Sequence, residues 1–348
     1  MKGLCSAAIR FGDLASSTAS RGYDVVVSDA LIEAVHGTKF PSGERLLVPR
    51  GEAAKGIETL TSIYRSFVRL GVGRASRVLA IGGGSVTDVA GFASATWMRG
   101  VAFSFAPTTL LAMIDASIGG KNGIDFDGKK NMVGTYAAPD EIFIDLAFLD
   151  SLPERDFNSA MGEAVKYALI DGARYSDAFD RIPNAARDAR KERCAIEDLV
   201  HRSIELKLSV VGRDPRDDGE RKILNLGHTI GHAVEAVCGI THGEAVSVGL
   251  AAVCRFAARR YGFDDGGHTE RRLRSWGLPI RLGDAFALAD SLPSRDETAL
   301  REEIVAAMRV DKKRAGDCVS MAIPHAPGDV RVESVPFEEL ARFAMEDR

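Results

Sequence analysis

Four short runs of aliphatic and β-branched residues, YDVVVSD, ERLLVP, RVLAIGGGS and FSFAPTT, punctuate the first 110 residues, separated by stretches with apolar positions at helical spacing. Apolar strands alternating with amphipathic helices are the pattern of a parallel sheet with crossover helices, which is buried on both faces. One helix is predicted from about Lys55 to Leu70 and another from near Val86. After Pro153 the pattern changes to long segments rich in Ala, Leu, Glu, Lys and Arg with few β-branched runs. The expected fold class is an α/β amino-terminal domain over 1–150 with a Rossmann-like parallel sheet, then a mainly α-helical domain over 151–348, with the boundary near LDSLPER. Near the end, CVSMAIP and DVRVESV read as a small hairpin before a last helix, FEELARFAMED.

Length agrees with two domains, since 348 residues exceed the usual size of one. Apolar residues at 45% and charged residues at 27% are ordinary for a globular protein, and a net charge of −4 gives no reason to expect a nucleic-acid partner. The five cysteines, Cys5, Cys194, Cys238, Cys254 and Cys318, are scattered without a CxxC pair, which argues against a disulfide framework or a thiolate zinc site and for a reducing cytoplasm. Arg10 and Asp13 interrupt the amino terminus before an apolar core of leader length develops, and no stretch reaches the ~18 apolar residues of a membrane span.

The chemistry concentrates in 221–244, RKILNLGHTIGHAVEAVCGITHGE. His228 and His232 stand four apart, so on a helix they share a face, and His242 returns from beyond Gly239. Three imidazoles in fifteen positions, among seven histidines in the chain, point to a divalent metal site. Its carboxylate is best supplied by Glu163 in MGEAVKYALI. The plainer reading is a histidine pair at helical spacing that serves only surface or core.

Two other segments carry candidate anion chemistry. RVLAI runs into Gly82, Gly83, Gly84 and Ser85 and then a helix, a turn whose backbone N–H groups approach a pyrophosphate, with Asp88 one turn on and Pro107 to Thr109 ending the next strand. The same glycines also suit a tight strand-to-helix turn with no ligand. MIDASIGGKNGIDFDGKKNMVG holds Asp115, Lys121, Lys129, Lys130 and Asn131 beside glycines and reads as an anion-capturing or solvated loop. Lys166 lies three residues after Glu163, on the same helical face. Lys207, Arg221 and Asn225 precede His228 in what reads as one helical region, and Lys312 and Lys313 come late.

Taken in order, GGGSVTDVAGFASATWMRG, PTTLLAMIDASIGGKNGIDFDGKKNMVG, LPERDFNSAMGEAVKYALI, ELKLSVVGRDPRDDGERKILNLGHTIGHAVE and HGEAVSVG closely resemble the 3-dehydroquinate synthase family over roughly residues 52–249, with a fainter match at DKKRAG. The resemblance implies an enzyme that uses NAD and one divalent metal, zinc or cobalt. It would convert 3-deoxy-D-arabino-heptulosonate 7-phosphate to 3-dehydroquinate and phosphate, by transient oxidation, phosphate elimination, re-reduction and aldol closure. Glu163, His228 and His242 then match the metal ligands, and His232 a substrate-side residue near the phosphate. Lys207 and Arg221 match the pair that holds the substrate carboxylate, while Lys121, Asn131, Asn225 and Lys312 or Lys313 match groups around phosphate and ring oxygens; Lys166, by its helical spacing from Glu163, is a candidate to act on the group the metal polarises. Arg99 matches an arginine reaching into the neighbouring subunit's site, which implies a homodimer. Glu52, Lys55, Gly84, Ser85, Val86, Thr87, Asp88, Thr108, Thr109, Asp115, Lys121, Lys130, Phe148, Leu149 and Ser151 match nucleotide-contacting positions.

The pattern departs from the family at Thr87, where glycine is usual, and at Pro215, Asp217 and Glu220; Glu220 stands where it can compete for the guanidinium of Arg221. The family's first strand is hard to find in MKGLCSAAIRFGDL. Two other enzyme readings share the site: a sugar-phosphate cyclase of secondary metabolism, acting on sedoheptulose 7-phosphate, glucose 6-phosphate or an amino analogue, and an iron-type polyol dehydrogenase suggested by GGGSVTD. A binding or scaffold protein that kept the fold is a further reading of another class.

Overall fold

The structure, a computed structural model, describes residues 3–289, 296–310, 314–315 and 317–347. Lys312 and Lys313 lie outside the described residues. Two compact units divide the chain, Met1–Pro153 with Lys207–Pro215, and Glu154–Leu206 with Arg216–Arg348.

The first unit is built on six parallel strands: β1 (Ala8–Phe11), β2 (Val25–Asp29), β3 (Glu44–Val48), β4 (Arg77–Gly82), β5 (Ala102–Pro107) and, later in the chain, an element at Glu141–Ile144. Between β5 and that last strand come β6 (Lys121–Phe126) and β7 (Lys129–Tyr136), so Glu141–Ile144 is β8. Strand order is β1-β8-β5-β4-β2-β3, with register such as Val25 to Val78 and Val78 to Phe103. Val25, Val26, Val27, Leu79 and Ile81 are fully buried, each contributing roughly 1.5–3 kcal/mol by leaving water. Helices α1 (Leu14–Thr18), α2 (Ala30–His36), α3 (Ile57–Arg69) and α4 (Gly84–Thr96) cross between strands. The strand missing from the amino-terminal pattern is β1, whose four residues alternate in burial and gain their identity from pairing with β8.

Two expectations for this unit are corrected. Helix α4 starts at Gly84 rather than near Val86, because Gly83 accepts from the N–H groups of both Val86 and Thr87 at 3.1 Å. The segment read as a loop is a turn of π-helix, Ala112–Ala116, followed by the antiparallel hairpin β6–β7. Asp127 and Gly128 turn the hairpin with φ of 51° and 70°, the two left-handed residues of a tight hairpin turn.

The second unit is helical: α5 (Glu154–Asp171), α6 (Ala173–Phe179), α7 (Ala186–Ala189), α8 (Arg193–Arg213), α9 (His228–Cys238), α10 (His242–Tyr261), α11 (His268–Ser275), α12 (Leu282–Leu288) and α13 (Glu297–Val310). The last turns of α8, from Lys207, belong to the first unit. A small antiparallel sheet of β9 (Arg314–Ala315), β10 (Cys318–Ala326) and β11 (Asp329–Pro336) precedes α14 (Phe337–Glu346), as the alternating pattern predicts. Lys207, Arg221 and Asn225 do not share one helical region with His228. Helix α8 stops before Pro215, a separate 3₁₀ turn covers Glu220–Asn225, and Gly227 at φ 79° breaks the chain before α9. No helix among the described residues is long and apolar enough to cross a membrane.

Candidate active site

Three helices of the second unit converge through glycines. On α5, a Cβ added to Gly162 would stand 2.5 Å from the Gly243 carbonyl oxygen, and one added to Gly243 would overlap the carbonyl of Ser159. A Cβ on Gly249 of α10 would overlap the Gly227 carbonyl, and one on Gly231 of α9 would stand 3.0 Å from the Ala245 carbonyl oxygen. Helices cross this closely only where side chains are absent. Polar clamps fix the register: Ser159 Oγ lies 2.8 Å from Thr241 Oγ1 and accepts from Gly243 N at 3.2 Å. Arg155 grips Glu244 with Nε and Nη2 at 2.8 and 3.0 Å, while Thr241 and Glu244 form the capping box that starts α10.

This framework puts Glu163, His228 and His242 around one point. Glu163, fully buried, has Oε1 3.3 Å from Nε2 of both histidines. Ligand atoms at 2.0–2.1 Å from a tetrahedral ion are separated by about 3.3–3.4 Å, so the spacing fits a single divalent cation. The other ring nitrogens are anchored: His228 Nδ1 lies 3.1 Å from the Leu226 carbonyl oxygen and His242 Nδ1 3.0 Å from Glu235 Oε2. Each anchor takes the Nδ1 proton and turns the Nε2 lone pair toward the shared point. Burial drives His228 well below the usual imidazole range. At His242 the same burial is outweighed by the hydrogen bonds to Glu163 and Glu235, and the ring is pushed up to about 10.

His232, the middle histidine, has an exposed ring with its centroid 5.1 Å from that of His228 and 5.9 Å from that of His242. Together with Glu235 and His242 it forms a second group within metal-ligating reach, more exposed than the first. Lys166 is 1% exposed, with Nζ against Glu163 Oε2 and over the Tyr167 ring at 4.7 Å. Arg221 is 2% exposed, whereas the neighbouring Glu220 is exposed, so the two side chains occupy different environments. Asn225 is half-buried at the end of its 3₁₀ turn.

In the first unit, Gly83 caps α4 without a side chain, leaving the first-turn N–H groups suited to an anion. Thr109 packs close to the turn, its Cγ2 3.2 Å from where a Cβ of Gly83 would be. Thr108 is buried, and its Oγ1 has no hydrogen-bond partner among the described residues. Val86 is buried beneath Gly82, and Thr87, also buried, turns its hydroxyl back to the Gly84 carbonyl at 2.9 Å. Thr87 therefore carries a hydroxyl satisfied inside its own helix.

Around the turn, Lys55 gathers acidic groups. Its Nζ lies 3.1 Å from Asp88, 3.7 Å from Glu52 and 3.9 Å from Asp125, and it donates to Asn131 Oδ1. Asn131 also donates its N–H to Asp125 at 2.8 Å with φ 54°, so it belongs to this cluster. Ser85 donates to Glu52 at 3.0 Å and Lys130 lies 3.7 Å from it. Burial pushes Asp88 up to about 6 against the attraction of Lys55. Lys207 donates to the Asp115 carboxylate at 2.8 Å and to its backbone carbonyl at 2.7 Å. Phe148 and Leu149 are fully buried, and Ser151 meets His36 Nε2 at 2.6 Å while the His36 ring stands edge-on to Phe148 at 4.9 Å. Lys121 is exposed at the start of β6. Arg99 is exposed on a backbone where Met98, Arg99 and Gly100 all have positive φ, of 50°, 69° and 115°. Holding two non-glycine residues there costs on the order of 1–3 kcal/mol each, a common mark of functional positions.

Glu235, Asp125 and His36 escape the motif reading. Glu235 is detectable in principle, since His228, His232 and Glu235 follow i, i+4, i+7 on one face of α9. Asp125 and His36 gain their partners only through the fold.

Family models described as 3-dehydroquinate synthase N-terminal and C-terminal match residues 45–159 and 160–314. The 3-dehydroquinate synthase of Pyrococcus abyssi is 38% identical over 322 residues, covering 92% of this chain and 89% of that one. Among solved structures, a 2-deoxy-scyllo-inosose synthase complexed with carbaglucose-6-phosphate, NAD+ and Co2+ aligns over 100% of both chains at 26% identity and TM-score 0.81. The 2-epi-5-epi-valiolone synthase of Streptomyces hygroscopicus subsp. jinggangensis, with NAD+ and Zn2+ bound, aligns over 98% of each chain at 25% identity and TM-score 0.83.

Proposed function

The chain belongs to the 3-dehydroquinate synthase family, and from that premise we propose that it converts 3-deoxy-D-arabino-heptulosonate 7-phosphate to 3-dehydroquinate and phosphate with NAD and one divalent cation. The single observation that carries this reading is the triad of Glu163, His228 and His242, with Glu163 Oε1 at tetrahedral spacing from both imidazole Nε2 atoms, in a chain with both family halves.

When bound, the cation would supply Lewis acidity toward substrate hydroxyls and NAD a reversible hydride acceptor, chemistry that needs no external oxidant. Glu163, His228 and His242 would hold the cation, with Lys166 beside the carboxylate. Arg221 and Lys207 are each assigned to the substrate carboxylate, and the hydrogen bond to Asp115 orients the Lys207 amine. Lys121, Asn131, Asn225, His232 and Lys313, the last outside the described residues, are the groups assigned to phosphate and ring oxygens, where they would stabilise the charge that develops as phosphate leaves. A polyanionic substrate accounts for cationic groups gathered in a protein of net charge −4.

The nucleotide is assigned to the first unit. The N–H groups of Gly84 and Ser85 are assigned to the pyrophosphate, with Val86, Thr87 and Asp88 completing the turn. Glu52, Lys55 and Lys130 suit ribose hydroxyls and nearby charge, and Thr108, Thr109, Asp115, Lys121, Phe148, Leu149 and Ser151 line the remainder. The buried Thr108 hydroxyl supports a polar ligand there. Arg99, exposed on its strained turn, is assigned to the site of a second copy in a homodimer. Scattered free cysteines support a cytoplasmic location.

The deciding experiment incubates the purified protein with the heptulosonate phosphate, cobalt or zinc and catalytic NAD, following phosphate and dehydroquinate together. Equal release of both, with NAD unchanged, is expected. Stoichiometric NADH accumulation would instead indicate a polyol dehydrogenase, and turnover of sedoheptulose 7-phosphate alone a cyclase of secondary metabolism.

A further inference from the structure

We infer that Glu235 is the positioning residue that fixes the donor nitrogen of His242, making that imidazole a stronger ligand than His228; this rests on the metal centre proposed above. Glu235 sits in the last turns of α9, its backbone carbonyl accepting from Gly239 N at 3.0 Å at the left-handed residue where the chain turns toward α10. Its side chain is 9% exposed and places Oε2 3.0 Å from His242 Nδ1.

The two histidines are anchored by different chemistry. His228 donates to a neutral backbone carbonyl, that of Leu226, and its buried ring is confined by packing. His242 opens α10 with 30% of its side chain exposed, so rotation about χ2 is less restrained by neighbours. A carboxylate on Nδ1 supplies what packing does not. It selects the tautomer with the proton on Nδ1, keeps Nε2 toward Glu163 Oε1, and raises electron density at Nε2 by placing a negative charge behind the ring.

A rival assignment exists on the same atoms, because Glu235, His232 and His242 also lie within ligating reach of one another. Geometry separates the two. Glu235 meets Nδ1 of His242 at hydrogen-bonding distance, on the side of the ring opposite to the Nε2 that faces buried Glu163.

The test loads the protein with Co2+ and records both its dissociation constant, by competition with a chelator, and its visible d–d absorption, for the wild type, Glu235→Gln, Glu235→Ala, His232→Ala and Glu163→Gln. Glu235→Ala is expected to weaken Co2+ binding by about 10–100-fold and shift the d–d bands, and Glu235→Gln, which keeps an acceptor but not the charge, to shift them less with a smaller loss. His232→Ala should leave the bands in place, and Glu163→Gln should abolish them. If both Glu235 variants bind Co2+ with the wild-type spectrum and affinity, Glu235 does not position the ligand. If His232→Ala removes the bands while Glu163→Gln retains them, Glu235 is itself a ligand. Should Glu235→Ala fold poorly, Glu235→Gln carries the spectral comparison. A wild-type protein that gives no Co2+ spectrum overturns the metal centre itself, a result distinct from failure of the Glu235 assignment.

Discussion

Gly243 crosses Ser159 so closely that a Cβ on the glycine would overlap the serine carbonyl oxygen, while Ser159 Oγ accepts from the Gly243 N–H at 3.2 Å. Backbone contact between α5 and α10 thus sets the separation of Glu163 from His242, each one residue from a glycine of the crossing.

Gly243→Ala is expected to force the two helices apart, lowering stability by about 1–3 kcal/mol or more and stripping bound metal. Gly283→Ala, at a helical position with nothing within 4 Å of the added Cβ, should change stability by less than about 1 kcal/mol. Thermal unfolding and metal content of the two variants, compared directly, check the crossing.

Removing the cation is expected to silence the protein reversibly. Dialysis against a chelator should abolish phosphate release, and added zinc or cobalt should restore it. His228→Ala and Glu163→Gln should lower phosphate release by at least about 100-fold and not respond to added metal at ordinary concentration. Full activity of metal-free His228→Ala would remove the basis for the site.

Arg221 is 2% exposed, and its planar fork suits a carboxylate in a way an ammonium does not. Arg221→Lys should raise KM for the heptulosonate phosphate by about 10–100-fold with a smaller effect on kcat. A KM unchanged within about twofold would place the substrate carboxylate elsewhere.

Asp88 gives stability a definite pH dependence. Its folded-state pKa, pushed up by burial to about 6 from 3.8, means the folded protein holds a proton there that the unfolded chain has released. This contribution is most favourable below the unfolded value and is lost as pH rises through about 6. Asp88→Asn should therefore gain on the order of 1–2 kcal/mol relative to the wild type between acidic and neutral pH. Denaturant titrations at both ends of that window measure the difference.

Glu141 should act with the opposite sign. Burial would raise its pKa, but Arg21 and Arg10 at 2.6 and 2.5 Å hold it below the ordinary glutamate value of 4.5. Its stabilisation is complete above that value and is lost as the pH falls through the lowered one. Glu141→Gln is expected to destabilise by about 1–3 kcal/mol at pH 7, with the penalty shrinking in acid. An equal penalty at pH 7 and in acid would detach the effect from the carboxylate's charge.

What could be read without coordinates was whatever repeats locally. Strands β2, β4 and β5 are continuous apolar runs because a parallel sheet buries both faces, and the carboxy-terminal hairpin alternates because only one face is covered. Strands β1 and β8 escaped because four residues give too short a period, and pairing with each other and with β5 defines them. The hairpin β6–β7 was hidden by exposure along most of β7, although Asp127-Gly128 marks its turn. The apparent helical continuity from Lys207 to His228 failed because Pro215 and Gly227 impose breaks that residue order alone made easy to overlook.

The order of residues by itself determined the inventory: an α/β half, a helical half, a glycine turn able to meet a phosphate, and histidines near a glutamate. Those properties follow from side-chain type and helical or strand period. Only the tertiary structure decided which atoms meet. It brought Nε2 of His228 and His242 to 3.3 Å from Glu163 Oε1, left the His232 ring exposed, and set Glu235 behind His242 and Asp115 against Lys207. Distances between residues far apart in the chain depend on helix crossings at Gly162, Gly243, Gly231 and Gly249, where the absence of a side chain lets backbones touch.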